Sequence, residues 1–396
     1  MHQPTTPPIL TRGLVFLLAT AVGVIAANLY YAQPLVGIIS RALGLTPETA
    51  GLVVTLTQAG YGIGVLLIVP LGDIAESRRL IMAMIGIAVM GLLGLAYVTQ
   101  MIPYFIAAFA TGLGASTVQI IMPYAAHFAP DESRGQVVGR LTSGLMIGIM
   151  LSRPIASLLT DLFSWHAVFV LSACLMTVLG IVLYKLLPPR PPSNEDIHYR
   201  HLVMSMIHLF LNTKILRRRA IYQAFLFGSF CLFWTATPLL LAGPDFQFSQ
   251  TAIAIFALVG VSGAISAPFT GKAADRGWSR GATAAAMIAS SASFLIGHFF
   301  ATKQSSYSVL GLVFAAILLD AGITANLVLG QRAIFTLEAQ YRSRLNGLYI
   351  ATIFIGGSAG SALGAWAYAN GGWALTSWVG FAMPACALLY FLTENF

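Results

Sequence analysis

Residues 307–329 read YSVLGLVFAAILLDAGITANLVL, an apolar run long enough to cross a bilayer as a helix, with Asp320 near its middle. A carboxylate at that depth is costly unless it faces protein or water, so it is a functional candidate by default. Of the 13 acidic residues, it is the one that falls neither in an expected loop nor near a helix end. Asn326, Gln331 and Arg332 follow, roughly two to three turns further along. The stretch therefore predicts a cage of membrane helices built around a cavity, with Asp320 turned toward that cavity.

The composition supports this. The chain has 396 residues, 58% of them hydrophobic and 9% charged, whereas soluble globular proteins carry about 25% charged residues. No single water-soluble core buries that much apolar surface, so lipid is the expected solvent. The net charge of +8 comes from 21 Lys and Arg against 13 Asp and Glu. These charges sit in short loops between apolar runs, which fits the positive-inside rule rather than a nucleic-acid partner. Cys174, Cys231 and Cys386 lie inside apolar runs without paired or metal-ligand spacing, so they read as small core residues.

Twelve apolar spans are expected. In the first half they are residues 14–37, 49–71, 80–99, 102–128, 136–159 and 168–187. In the second half they are 220–241, 251–269, 281–301, 307–329, 345–369 and 375–392. The first resembles a signal peptide, with Arg12 before it and Ala26-Ala27 inside it, but its removal would leave an odd count and break an internal repeat. With both termini in the cytoplasm, 18 of the 21 Lys and Arg fall inside, Arg41 and Lys303 fall outside, and Arg153 lies within a span. The expected location is the inner (plasma) membrane, crossed many times.

A shift of 208 residues superimposes Gly114 on Gly322, Arg134 on Arg342, Gly139 on Gly347, Gly148 on Gly356 and Trp165 on Trp373. A shift of 202 brings Asp73 onto Asp275. Two six-helix halves in parallel repeat are a transporter architecture with the substrate site between the halves. The expected fold class is thus an all-α membrane protein with twelve transmembrane helices in two bundles related by pseudo-twofold symmetry. The halves would be residues 1–187 and 220–396, with a cytoplasmic linker at 188–219. The linker opens PPRPPSNED, which cannot be helical at its start. Beyond it, Leu202, Val203, Met206, Leu209 and Phe210 share one face and His201, Ser205, His208 and Asn212 the other, which predicts a short interfacial helix. A plain linker with a basic stop at 217–219 is the alternative.

The loop after the second span reads PLGDIAESRRLI (residues 70–81), and its counterpart reads TGKAADRGWSRG (residues 270–281). Each places a Gly and an Asp at a helix end with Arg a few residues on. Here the chain resembles the major facilitator superfamily, whose signature in this loop is Gly-x-x-x-Asp-Arg-x-Gly-Arg-Arg. The second copy matches through Gly271, Asp275 and Arg276. The first keeps Gly72 and Asp73, has Val69 and Ile74 in place of Gly and Arg, and carries Arg78 and Arg79 one residue late. On physical grounds Asp73 is expected to cap the helix near Leu345 and Asp275 the helix near Gln136, each contact worth roughly 0.3–1 kcal/mol; the resemblance implies that these loops gate the cytoplasmic side. An ordinary turn with a helix cap is the plainer reading.

The fifth span carries Gly139, Gly144 and Gly148, then Ser152-Arg153-Pro154. It resembles the glycine-rich fifth helix of drug–proton antiporters, with Ser152 and Arg153 where Gly and Pro are expected. Close helix packing alone also explains such glycines. Arg153 cannot practically lose its proton. Its candidate partners are Asp320, Asp161 about two turns outward, and an anionic substrate group. The run Asn28, Tyr30, Tyr31, Gln33, Pro34 in the first helix and Asp320, Gly322, Asn326, Gln331, Arg332 in the tenth resemble the arabinose and purine-ribonucleoside efflux branch of the superfamily. Gln58, Gln119, Gln223 and Trp234 add polar or aromatic groups within other spans. Singly, such groups are more often helix–helix hydrogen bonds. Together with Asn28, Tyr30, Tyr31, Gln33, Asn326 and Gln331, they are the expected substrate-binding set.

The expected function is secondary active export of a small organic solute (sugar, nucleoside or drug-like) by a proton-coupled monomer working by alternating access. Asp320 and Arg153 would be the proton-coupling pair. Exclusion of water and a neighbouring cation act on such a carboxyl in opposite senses, and alternating access would change their balance. Uptake by symport or facilitated diffusion is the alternative on the same fold. A membrane enzyme or ATP-driven pump is disfavoured. Gly271-Lys272 is followed by Ala273 rather than Ser or Thr, so no phosphate-binding loop forms, and there is no His-Glu-x-x-His or other metal cluster. No cofactor is expected, and the partners are solute, protons and lipid.

Overall fold

The computed structural model describes residues 11–130, 133–191, 198–301, 306–337 and 342–394, and all regular structure in them is helical. The chain runs through α1 (Arg12–Ala27), α2 (Val36–Ala42), α3 (Leu52–Ile63), α4 (Ser77–Tyr97), α5 (Met101–Ala115), α6 (Thr117–Phe128), α7 (Arg134–Leu162) and α8 (Trp165–Leu186). It continues through α9 (Tyr199–Asn212), α10 (Lys214–Ala242), α11 (Gln250–Ala257), α12 (Val261–Asp275), α13 (Ser279–Phe300), α14 (Ser306–Phe335) and α15 (Arg342–Leu392). Ten helices among the described residues are long and apolar enough to cross a membrane. One of these is α15, which Gly371 and Gly372 divide into two limbs with non-helical backbone between them. Counting both limbs, and α1 with its continuation α2, gives the twelve passes expected from the sequence. Lys303, expected in a loop, and residues 192–197 of the linker lie outside the described residues.

The first span is not one helix. After Ala27 the chain turns, enters a short 3₁₀ segment at Gln33–Leu35 and resumes as α2. Uniform apolar composition hides this break, although Pro34, which has no N–H to donate, sits within it. The second span also loosens at its end, from α3 through a π-helical turn at Gly64–Ile68 to a 3₁₀ turn at Val69–Asp73. The amphipathic segment forms α9 and buries Leu202 and Met206. Arg217, Arg218 and Arg219 lie in the first turns of α10 rather than in a linker, and Arg218 is buried.

The sequence repeat reappears as repeated packing. A Cβ on Gly148 would lie 2.1 Å from the Gly23 carbonyl oxygen of α1, and one on Gly356 would lie 2.3 Å from the Ala224 carbonyl oxygen of α10. Only glycine allows backbones to approach that closely. Gly114 and Gly322 likewise serve the α5–α4 and α14–α13 crossings, against Ala88 and against Ala286 and Ser290.

The face from which α1 starts is called proximal, and the opposite face distal. On the distal side the halves of the chain are joined. Thr55 Oγ1 donates to the Ser358 carbonyl (3.3 Å), Ser358 Oγ donates to the Thr55 carbonyl (3.1 Å), and Ser361 Oγ donates to the Gly51 carbonyl (3.4 Å). Thr251 of α11 donates to the Asp161 carboxylate at the end of α7. On the proximal side α12 leaves α7 and packs on α14.

Candidate functional site

Four segments meet around Trp234 of α10. Its indole Nε1 donates to Asp320 Oδ1 of α14 at 3.1 Å. Its ring face lies 4.4 Å from the Arg153 guanidinium of α7. Arg153 Nε donates to Gln33 Oε1, in the break of the first span, at 2.8 Å. The same guanidinium also lies over Phe230 at 5.0 Å and Tyr30 at 5.2 Å. Asp320 and Arg153 are 3% and 2% exposed, so an acid and a base are both removed from solvent between the halves. They make no direct ion pair. Each feels the other's charge, and Trp234 bridges them by giving its N–H to the anion and its π face to the cation.

Burying charge demands partners, yet Arg153 Nη2 and Gln33 Nε2 have none among the described residues. A cavity of about 10 Å³ touches Arg153, Trp234 and Pro34, about the minimum that holds one water. Asp320 thus sits in a closed seam rather than facing an open central cavity in this conformation. Gly260, in the 3₁₀ turn between α11 and α12, abuts the same cluster. A Cβ there would lie 3.2 Å from Asp320 Oδ2 and 3.4 Å from Arg153 Nη1. Neither Gly260 nor Phe230 is identifiable from sequence, because an isolated glycine or phenylalanine in an apolar run carries no signal.

The other expected binding residues form smaller groups. Asn326 Nδ2 donates to Gln223 Oε1 (2.6 Å), and Gln223 Nε2 donates to the Ile323 carbonyl (3.2 Å). Gln119 Nε2 donates to Tyr61 Oη (3.0 Å), whose ring packs 4.2 Å from that of Phe354. Gln58 is fully buried, with neither amide atom hydrogen-bonded among the described residues. Asn28 is occupied structurally, donating to the Val24 and Ile25 carbonyls and accepting from Ser172 at 2.5 Å. Tyr31 lines a groove between α1, α7 and α8, away from the cluster. Gln331, half-buried, lies about 16 Å along α14 from Asp320. Asp161, a possible partner of Arg153, is taken by Thr251 instead.

The loops expected to gate differ from expectation. Asp275 pairs with Arg332 of α14 instead of capping the helix near Gln136. Asp73 is acted on electrostatically by Arg344, next to Leu345, and by Arg190. Burial pushes the Arg190 guanidinium below its ordinary value, and the Asp73 carboxylate opposes that shift. Arg78 donates to the Tyr184 carbonyl and covers its ring at 4.6 Å, and Arg79 pairs with Glu76 at 3.3 Å. Both arginines therefore act within their own half. Arg276 lies 5.9 Å from the Trp278 ring. Gly72 has room at its Cβ position, with Ile120 the nearest atom at 3.9 Å, and Gly271 has nothing within 4 Å. Among the described residues, no group of three or more His, Cys, Asp or Glu is placed to hold a metal ion.

Comparison with known proteins agrees with this architecture. Residues 17–334 match the model of the Major Facilitator Superfamily. The chain is similar to an uncharacterized transporter, YgaY, of Escherichia coli (36% identical, covering 92% of this chain and 91% of that one). It is also similar to the probable transporter SCO4007 of Streptomyces coelicolor (30% identical, covering 90% and 82%). A crystal structure of a mutant of the nucleoside transporter NupG superimposes with a TM-score of 0.75 at 15% identity, over 96% of this chain and 99% of that one. A POT family transporter in complex with 5-aminolevulinic acid superimposes at 0.74 and 13% identity, over 96% and 94%. The chain belongs to the Major Facilitator Superfamily and is a multi-pass membrane transporter, not an enzyme.

Proposed function

We propose that the protein exports a small organic solute by proton-coupled alternating access, with Asp320 as the proton carrier. One observation carries this reading: a buried acid from α14 and a buried arginine from α7 are bridged by a single tryptophan at the seam between the halves. Protonating Asp320 removes the anion that Trp234 donates to and leaves Arg153 without a counter-charge. Opening the seam is the expected response, because an unpaired buried charge is strongly destabilising. The free donors on Arg153 and Gln33, with Gln223, Asn326 and the aromatic rings of Tyr30 and Phe230, suit a hydroxylated or heteroaromatic solute such as a sugar or nucleoside. The moving bodies would be residues 1–187 and 220–396, linked through 188–219. The proximal face would be cytoplasmic and carry both termini, in the inner membrane, and the working unit would be a monomer.

The test uses purified protein in proteoliposomes. A thermal-shift screen of pentoses, nucleosides and amphipathic drugs selects the solute. An imposed pH gradient should then drive that solute toward the acidic side. Movement toward the alkaline side would indicate symport and overturn the export reading. Undiminished gradient-driven movement in Asp320→Asn would remove Asp320 from the coupling role.

A further inference from the structure

A separate groove is unrelated to the seam. It measures about 820 Å³ and lies between α1, α7 and α8. Leu151 and Ile155 stand two residues either side of Arg153 on α7, about 200° around the helix, so they face away from the seam. Both are exposed, as are Phe16 and Ile147 on the groove walls, so the groove opens toward lipid. Its floor is the crossing of α1 and α7, where Gly23, Gly144 and Gly148 let the two backbones meet. Its upper wall is α8.

The polarity of the groove is uneven. Its walls are mostly apolar, with hydroxyls at Thr20, Ser143, Ser152 and Ser172, and Arg12 and Arg140 stand at the proximal end. Both are exposed, and neither is hydrogen-bonded or ion-paired to another described residue. The Gly144–Ala19 contact sets the register of the crossing, placing Arg140 about one turn deeper than Arg12. From Arg12 to Gly23 the groove runs about 16 Å, roughly one leaflet of hydrocarbon.

We infer that this groove is a binding site for an anionic phospholipid of the proximal leaflet. The phosphate would lie between Arg12 and Arg140, and one acyl chain would lie over Ala19, Gly23 and Gly144. Two guanidinium groups suit a phosphate, and a mostly apolar groove suits a single chain. The inference does not depend on the transport reading.

Native mass spectrometry of the full chain tests it, with phosphatidylglycerol and phosphatidylcholine of identical acyl chains as probes. Wild type should retain phosphatidylglycerol preferentially. An Arg12→Gln, Arg140→Gln double variant should lose about 25-fold in its affinity, roughly fivefold per arginine, and leave phosphatidylcholine binding unchanged. Thr20→Trp, which fills the groove from an exposed wall position, should weaken binding of both lipids while the melting temperature is retained. Equal retention of the two lipids by wild type, or an undiminished preference in the double variant, would overturn the site. Tighter phosphatidylglycerol binding on deletion of residues 1–10 would also overturn it, by making that segment the native occupant.

Discussion

Trp234 does two jobs through two different parts of one side chain. Its N–H holds Asp320 and its ring face holds Arg153. Trp234→Phe keeps an aromatic face and removes the donor. It should cost about 1.5–3 kcal/mol, the range for a hydrogen bond to a charged group. The same variant should transport with weakened pH dependence, read by thermal unfolding and by flux at two pH values. Gly260 offers a sharper probe. In Gly260→Ala the new methyl would press on Asp320 Oδ2 and Arg153 Nη1, at 3.2 and 3.4 Å. The cluster must shift to admit it, at about 1–3 kcal/mol, and the distal-closed conformation should lose population. An unchanged melting temperature together with unchanged transport would show that Gly260 does not restrain the pair. Asp320 and Arg153 are legible in sequence because charge in an apolar run is conspicuous. Gly260 is not, since its importance comes from what packs against it.

The repeat makes a paired prediction for the helices. Gly148→Ala and Gly356→Ala should each destabilise by about 1–3 kcal/mol, because a Cβ at either would meet a carbonyl oxygen at 2.1 or 2.3 Å. Gly139→Ala and Gly347→Ala should be neutral or stabilising by up to about 1 kcal/mol, since neither position has an atom within 4 Å and alanine is the better helix former. All four glycines coincide in the same 208-residue shift, so sequence alone ranks them equally. Melting temperatures of the four variants in detergent check the split. The break between α1 and α2 was hidden for a related reason. Hydrophobic length marks where a span runs, but not where its backbone hydrogen bonding is interrupted. The partner of Asp275 was hidden because it is tertiary: Arg332 lies 57 residues away on α14.

For the whole molecule, the distal seam is closed and the proximal side diverges at α7 and α12. Thr55→Cys with Ser358→Cys, in a background lacking Cys174, Cys231 and Cys386, should cross-link on oxidation and block transport, since Thr55 and Ser358 exchange hydrogen bonds at 3.3 and 3.1 Å. Gly139→Cys with Gly271→Cys should stay reduced in the same conformation, both positions being open. Cross-linking of the second pair alone, measured by gel mobility, would reverse the assignment of open and closed faces. Span number, the repeat and the superfamily were readable from composition and spacing. The conformation was not, because both faces of an alternating transporter are built from the same residues.

Asp320 as carrier of the transported proton is tested by proton movement across proteoliposomes, followed with an internal pH-sensitive dye while the solute selected by thermal shift is added outside. Wild type should show solute-dependent proton flux, and Asp320→Asn should bind the solute with no proton flux above that of protein-free vesicles. Solute-dependent proton flux at the wild-type rate in Asp320→Asn would contradict the account.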